Sequence, residues 1–172
     1  MDGRQPFKLF KEGPIPSEFT MTEIELNFLR ESNNIENVWD DVSLQQAILA
    51  WEYLKNKRKI TIPVILKTHK ILMKYQPIDE KYKGKFRQCA IYIGGREGKP
   101  WEFIPSIMSQ WCIAINTSEE FQQTHVQYEW IHPFIDGNGR TGRIFMNWQR
   151  LKLGLPISVI EEQKKWDYYE WF

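Results

Sequence analysis

The run His132-Pro-Phe-Ile-Asp-Gly-Asn-Gly-Arg-Thr-Gly-Arg143 constrains this chain more than any other stretch. Gly137 and Gly139 flank Asn138 and permit backbone angles, and a closeness of ligand approach, that side chains forbid. Directly afterwards Ile144, Phe145, Trp148, Leu151 and Leu155 recur at helical spacing. A chain that turns on glycines into a helix presents the unpaired amides and positive dipole end of that helix. Such a start is an anion site, and phosphate is its usual occupant. Arg140 and Arg143 fall in the first turns, and their spacing puts them on one side of the helix, where they can grip two successive phosphates. Asp136 stands where a carboxylate can hold Mg²⁺ against those phosphates. His132 is near enough to act as a base at the reacting phosphorus.

Taken singly, each feature has a plainer explanation. A His before Pro is a structural residue, an arginine pair is a solvated face, and Gly-Asn-Gly is a turn. Their coincidence in one loop has no such explanation. The run satisfies every fixed position of His-x-Phe-x-Asp/Glu-Gly-Asn-Gly-Arg-x-x-Arg, so the sequence resembles a Fic domain, the fold of protein AMP-transferases. The resemblance implies a mainly α protein, a helical bundle with a short β-hairpin flap beside the active-site loop. It further implies an adenylyltransferase that moves AMP from ATP to a Ser, Thr or Tyr hydroxyl of a target protein. ATP would lie on Gly137, Asn138 and Gly139, with Asn138 at the α-phosphate, Arg140 at the β-phosphate and Arg143 at the γ-phosphate. Asp136 would hold Mg²⁺, His132 would be the catalytic base, and Phe134 would point into the core and fix the loop.

Length and composition agree with one soluble domain. The chain has 172 residues, and its 42% hydrophobic and 26% charged content is ordinary for a globular protein. Eight tryptophans within 15% aromatic content suggest a tightly packed helical core. A net charge of +1 offers no electrostatic case for nucleic acid or a membrane as main partner. Cys89 and Cys112 lack metal spacing and read as free thiols in a reducing compartment. With no signal peptide and no run of transmembrane length, a cytoplasmic protein is expected.

Along the chain, residues 1–16 read as an extended arm with Phe7, Leu9 and Phe10 as anchors, and residues 17–172 as the domain. A helix is expected from about Ser17, with Thr20 or Thr22 as cap and Ile24, Phe28 and Leu29 on its apolar face. Ser43-Leu-Gln-Gln46 reads as a capping box opening a helix with Ala47, Ile48 and Trp51. Thr61-Ile-Pro63 starts another, with His69 as a core histidine rather than a ligand. Lys83-Gly-Lys-Phe-Arg87 resembles the segment before the flap in Fic proteins, and Arg87 reads as structural. Residues 89–93 and 101–104, separated by Gly94-Gly95 and Gly98, read as hairpin strands. Further helices are expected from Pro105, from Thr117-Ser-Glu-Glu120 (with His125 structural), and from about Ile160, the last bearing Trp166, Tyr168, Tyr169 and Trp171 as mostly core aromatics. Gly154 and Pro156 stop the helix after the signature.

Three expectations rest on the resemblance. The first concerns Ser32-Asn33-Asn34-Ile35-Glu36-Asn37, near the end of the 17–37 helix. It fits the inhibitory pattern Ser/Thr-x-x-x-Glu-Gly/Asn that many Fic proteins carry ahead of the core. Glu36 would then pair with Arg143, occupy the donors for the γ-phosphate and repel that phosphate. Second, the flap edge, with Ile91, Tyr92 and Ile93, would pair with an extended target segment. Third, Tyr169 would line the adenine. The partners expected are therefore ATP, an unidentified target protein and, as an open alternative, a second copy in a homodimer. Two other readings stand beside this one. The same site can remove AMP or transfer another nucleotide or phosphate group, and a non-enzymatic binding module could use the flap alone.

Overall fold

The computed structural model describes residues 21–172; the expected arm over residues 1–16 and the helix start at Ser17 lie outside the described residues. The glycine-arginine run opens α6 (Asn138–Lys152), and this helix is the axis of a helical bundle. Every residue from Arg140 to Gln149 is buried, as befits a helix enclosed on all sides. Its polar residues are answered inside the fold. Thr141 Oγ1 meets the Tyr128 hydroxyl at 2.8 Å, Asn147 exchanges two bonds with the Ser158 backbone, and Gln149 donates to the Ser118 carbonyl. Leu151 and Leu155, at the end of the expected stripe, are exposed.

Around this axis stand α1 (Glu23–Ile35), α2 (Asp41–Lys55), α3 (Ile62–Leu72), α4 (Ile104–Thr117), α5 (Phe121–Ile131) and the short α7 (Lys165–Tyr169). Helices α1, α2, α3 and α5 all touch α6, α2 pairs with α3, and α4 pairs with α5. The core runs through Phe28, Trp51, Leu54, Ile65, Ile104, Met108, Tyr128 and Phe145. The buried ring of Trp51 meets Phe28 edge-on at 5.2 Å, and its indole N–H donates to Glu25 Oε1 at 2.8 Å. Glu25 in turn closes the capping box of α1. Its Oε2 accepts from the Thr22 amide, and its own amide donates to the Thr22 hydroxyl. One carboxylate thus starts α1 and ties it to α2.

The starts of α2 and α5 and the hairpin depart from expectation. The cap of α2 is Asp40, not Ser43. A charged acceptor outcompetes a hydroxyl, and Asp40 takes both the amide (2.8 Å) and the hydroxyl (2.7 Å) of Ser43. The helix from Thr117 onward begins at Phe121, while Ser118 serves the intervening turn by accepting from the Glu120 amide. The hairpin is shorter than residues 89–93 and 101–104. It pairs β1 (Tyr92–Ile93) with β2 (Arg96–Glu97) across Gly94-Gly95, both at positive φ, as a two-residue turn requires. Below it the stem keeps one cross-strand bond, from the Gly98 amide to the Ile91 carbonyl, and Arg87 takes the carbonyls of Cys89 and Lys99. Residues Trp101–Phe103 form a 3₁₀ turn leading into α4. Nor are the last aromatics mostly core: Tyr168 is buried, but Trp166 is 71% exposed.

The end of α1 bears directly on the site. Asn37 adopts φ 58°, the Asn37 amide donates to the Asn34 carbonyl, and the Val38 amide donates to the Asn33 carbonyl at 3.1 Å. This is a Schellman ending with a left-handed residue, which Asn or Gly tolerates and branched residues do not. Asn37→Val is expected to lower stability by about 1–2 kcal/mol and Asn37→Gly to leave it nearly unchanged; urea unfolding of the two variants checks this.

Candidate active site

Helix α5 ends at His132, and the chain must reverse there to enter α6. His132 takes φ 49° and ψ 65°, a left-handed conformation rare for a residue with a side chain, and its amide donates to the Tyr128 carbonyl. Arg87 holds the reversed backbone. Its Nε donates to the His132 carbonyl at 2.8 Å, and its own amide donates to the Pro133 carbonyl at 2.9 Å. The same guanidinium binds Cys89 and Lys99 at the hairpin stem. One buried arginine therefore fixes the flap relative to His132. It is structural, as the sequence indicated, and it sets the spacing of two working parts.

The loop after His132 is closed by its own side chains. Asn138 Oδ1 accepts from the Phe134 amide and its Nδ2 donates to the Phe134 carbonyl, both at 2.9 Å. The Asn138 side chain, which is buried, therefore braces the loop. Phe134 is fully buried and stacks on His69 with centroids 3.7 Å apart. His69 Nδ1 accepts from the Gly84 amide at 2.9 Å, so Nε2 carries the proton and donates to the Asp136 carbonyl at 2.9 Å. Gly137, at φ 78°, lies against Met73 so closely that a Cβ there would clash with its sulfur.

The first helical bond of this turn runs from the Thr141 amide to the Gly137 carbonyl at 3.0 Å. The amides of Asn138, Gly139 and Arg140 precede it, at the positions where a helix start leaves donors without a partner inside the helix, and Asn138 and Gly139 border the cavity. Arg143 reaches from the same helix toward α1. Its Nε donates to Ser32 Oγ at 2.8 Å, and its Nη2 donates to the Ser32 carbonyl at 2.9 Å and to Glu36 Oε1 at 2.7 Å. Ser32 and Glu36 are four apart, so they share one face at the end of α1. The Glu36 carboxylate also lies over Gly139, where a methyl group would strike it. Glu36 thus covers both Arg143 and the start of α6. Arg140 does not join Arg143. Its guanidinium is buried beneath the loop, donating to Gln76 Oε1 at 3.1 Å and lying 3.7 Å from Asp136 Oδ2. The two arginines diverge because three residues along a helix are about 60° short of a full turn, and each side chain follows a different neighbour. Asp136 is half exposed and accepts from the Gly137 amide at 2.6 Å through Oδ1.

These groups border one open cavity of about 620 Å³. His132, Asp136, Gly137, Asn138, Gly139, Arg143 and Glu36 line it, as do Tyr169 and, from the flap, Ile93. Ile91, Tyr92 and Arg140 do not; Tyr92 points to solvent at 75% exposure. The sequence reading overlooked Gly94 and Arg96 of the flap, Tyr168, and above all Glu129. A carboxylate four residues after His125 and three before His132, on one helix face, was the available signal for Glu129.

Electrostatics separate the titratable groups. Burial, the largest cause, pushes His132 below its ordinary value, so the ring is neutral near pH 7. Its Nδ1 donates to the Glu129 carbonyl at 3.2 Å, which leaves the Nε2 lone pair free. Burial also takes His69 down to about 4 and His125 down to about 3. Burial raises Glu129 to about 8, opposed by Arg143 and assisted by Glu36.

The Fic/DOC family model matches residues 59–149, a little over half of the chain. The chain belongs to the Fic/DOC family. Relatives called protein adenylyltransferase Fic in Drosophila erecta and Culex quinquefasciatus are 34% and 30% identical over 134 and 120 residues. Those matches take in 70% and 65% of this chain but 26% and 24% of the relatives' lengths. The Fic/DOC chain described here thus spans about a quarter of the curated relatives it matches. A Fic-domain-containing signaling protein from Bacteroides thetaiotaomicron superposes with a TM-score of 0.72 at 19% identity, covering 84% of this chain and 69% of its own. Fic-1 of C. elegans superposes with a TM-score of 0.70 at 18% identity, covering 87% and 55%. These likenesses establish the mainly helical Fic fold with its small two-stranded sheet. Among the described residues no helix is long and apolar enough to cross a membrane.

The buried groups of this Fic/DOC chain make its stability depend on pH with two signs. His69 and His125 protonate near 6.5 when unfolded and only at about 4 and about 3 when folded. The unfolded chain binds more protons in that window, so stability falls as pH drops below 6.5. Glu129 holds its proton to about 8 in the fold but only to 4.5 unfolded, so it makes stability fall as pH rises across that interval. Urea midpoints measured across it are expected to decline less steeply for Glu129→Gln than for the wild type.

Proposed function

We propose that this chain is a protein adenylyltransferase held at low activity by Glu36. The observation that carries the proposal is the carboxylate of Glu36 lying on Arg143 and over the start of α6, beside a neutral His132 in an open cavity. That carboxylate occupies the position of an anionic ligand. In the active form the triphosphate of ATP replaces it. The amides of Asn138 and Gly139 receive phosphate oxygens, and Arg143, released from Glu36, receives the γ-phosphate. Asp136 is the half-exposed carboxylate next to the glycine turn, and among the described residues no cluster of three or more ligating side chains exists. That fits Mg²⁺, which takes one or two carboxylates and completes its shell with phosphates and water. When bound, the ion supplies neutralising charge to the phosphates. Arg140 acts through Asp136, orienting its carboxylate at 3.7 Å.

In the transfer step the target hydroxyl oxygen forms a bond to the α-phosphorus. His132 Nε2 takes the hydroxyl proton, the bond from the α-phosphorus to the bridging oxygen breaks, and pyrophosphate leaves with the electron pair. The protein contributes position and charge rather than a covalent intermediate. An extended target segment pairs with the flap edge beside Ile93 and Arg96, which face the cavity. Tyr169, which lines the cavity, supplies an aromatic wall for the adenine.

Glu36→Gly is expected to raise AMP transfer roughly ten- to hundredfold, the factor that about 1.5–3 kcal/mol of charged hydrogen bonding corresponds to. Incubation with α-³²P-ATP and Mg²⁺, alone and with a cell lysate, reads this, and rates no higher than wild type from a folded variant exclude the inhibitory role. In the Glu36→Gly background, His132→Ala is expected to lower transfer by roughly 10²–10⁴-fold with nucleotide binding retained. Undiminished transfer would remove His132 as the base, and labelling only from another nucleotide would assign a different transferred group.

A further inference from the structure

Glu129 has no task in the scheme above, yet it lies at its centre. It lines the cavity from α5, and its Oε1 is buried without a hydrogen-bond partner. That oxygen sits against Gly142, where a Cβ would strike it, so this glycine, two residues after Arg140, makes room for the carboxyl group. An unanswered buried carboxyl oxygen is costly and calls for an explanation. The groups facing it come from every neighbouring element. His125 and His132 share its own helix, with His125 Nε2 at 3.9 Å from Oε1. Arg143 stands on α6, Glu36 follows α1, and Tyr168 and Tyr169 come from α7; all four border the same cavity. His125 is turned to the Tyr168 hydroxyl at 2.8 Å and is neutral, so it offers no charge. Among the described residues the cation that acts on Glu129 is Arg143, already paired with Glu36 and lying over the Tyr168 ring at 5.6 Å.

Two carboxyl groups therefore face one guanidinium. With Glu36 on Arg143 a second negative charge is redundant and desolvated, and Glu129 keeps its proton. If Glu36 leaves and nothing replaces it, a buried guanidinium is left without a counter-charge, which is strongly unfavourable. Resting on the nucleotide-binding reading above, we propose that Glu129 is a positioning residue for Arg143, ionised when no anion occupies the arginine and protonated when Glu36 or a phosphate does. Glu129 holds Arg143 in place while the latch is open and the nucleotide absent. Triphosphate binding to the open protein then takes up a proton from solution, and affinity for the triphosphate weakens as pH rises.

The test is calorimetric titration of Glu36→Gly and of Glu36→Gly/Glu129→Gln with the non-transferable α,β-methylene analogue of ATP and Mg²⁺, near neutral pH, in buffers of different ionisation enthalpy. Proton changes on the ligand and on His132 are common to both proteins and cancel. The Glu36→Gly protein is expected to take up about one proton more per ligand than the double variant. AMP, which has no β- or γ-phosphate to reach Arg143, is expected to give no such difference. Equal uptake by the two variants, or the same difference with AMP, overturns the proposal. Should the double variant fail to fold, wild type replaces it in the comparison, because its Glu129 is protonated before and after binding. Failure of either Glu36 variant to bind the analogue at all would instead count against the nucleotide site itself.

Discussion

The contact between Arg143 and the end of α1 governs this structure. Three hydrogen bonds from one buried guanidinium reach Ser32 and Glu36, which lie more than a hundred residues earlier in the chain. A buried charge must be paired, and breaking such a pair by removing one partner costs about 3–5 kcal/mol. The contact therefore seats α1 on α6 and also fills the helix start with an anion. One interaction serves as a tertiary anchor and, in the function proposed above, as a blockade of the site. The motif at residues 32–37 follows from this geometry. Ser32 and Glu36 must share a helix face to bind one arginine, and Asn37 must tolerate the left-handed turn that ends the helix beside them.

The other side of the cavity depends on backbone held by side chains. His132 occupies an uncommon conformation because Arg87 and the Tyr128 carbonyl hold it there. Asn138 and His69 bind backbone groups of the following loop rather than a ligand. The fold invests its polar side chains in pre-organising the loop and leaves amide donors facing the cavity. That is the economical arrangement for an anion site, since amides cost little to orient once the loop is fixed. Glu129 and Arg143 are among the charged groups that line the cavity beside those amides.

Much of this was legible along the chain. The helices from Thr61 and Pro105, the long helix after Gly139 and its stop at Gly154 followed from local spacing and turn residues. So did the core histidine at 69 and the structural Arg87, whose residue types had no other local use. The contacts that were missed are those in which two local options compete. Asp40 displaced Ser43 as the cap because its carboxylate takes both the amide and the hydroxyl of Ser43, which puts Ser43 inside the first turn. The strands shrank to two residues each, and Arg87, distant from them in helical logic, claimed the stem carbonyls of Cys89 and Lys99.

The sequence by itself determined the chemistry on offer: a glycine turn entering a helix, one imidazole, one exposed carboxylate, and the serine–glutamate pair ahead of the core. Those follow from residue type and spacing, which act within a turn or two. Only the tertiary structure decided that Arg140 turns to Gln76 while Arg143 turns to Ser32, and that Glu129 faces the same guanidinium as Glu36. Each of these depends on which neighbour a buried polar group finds when water is removed, and that neighbour is brought by chain packing rather than by sequence proximity.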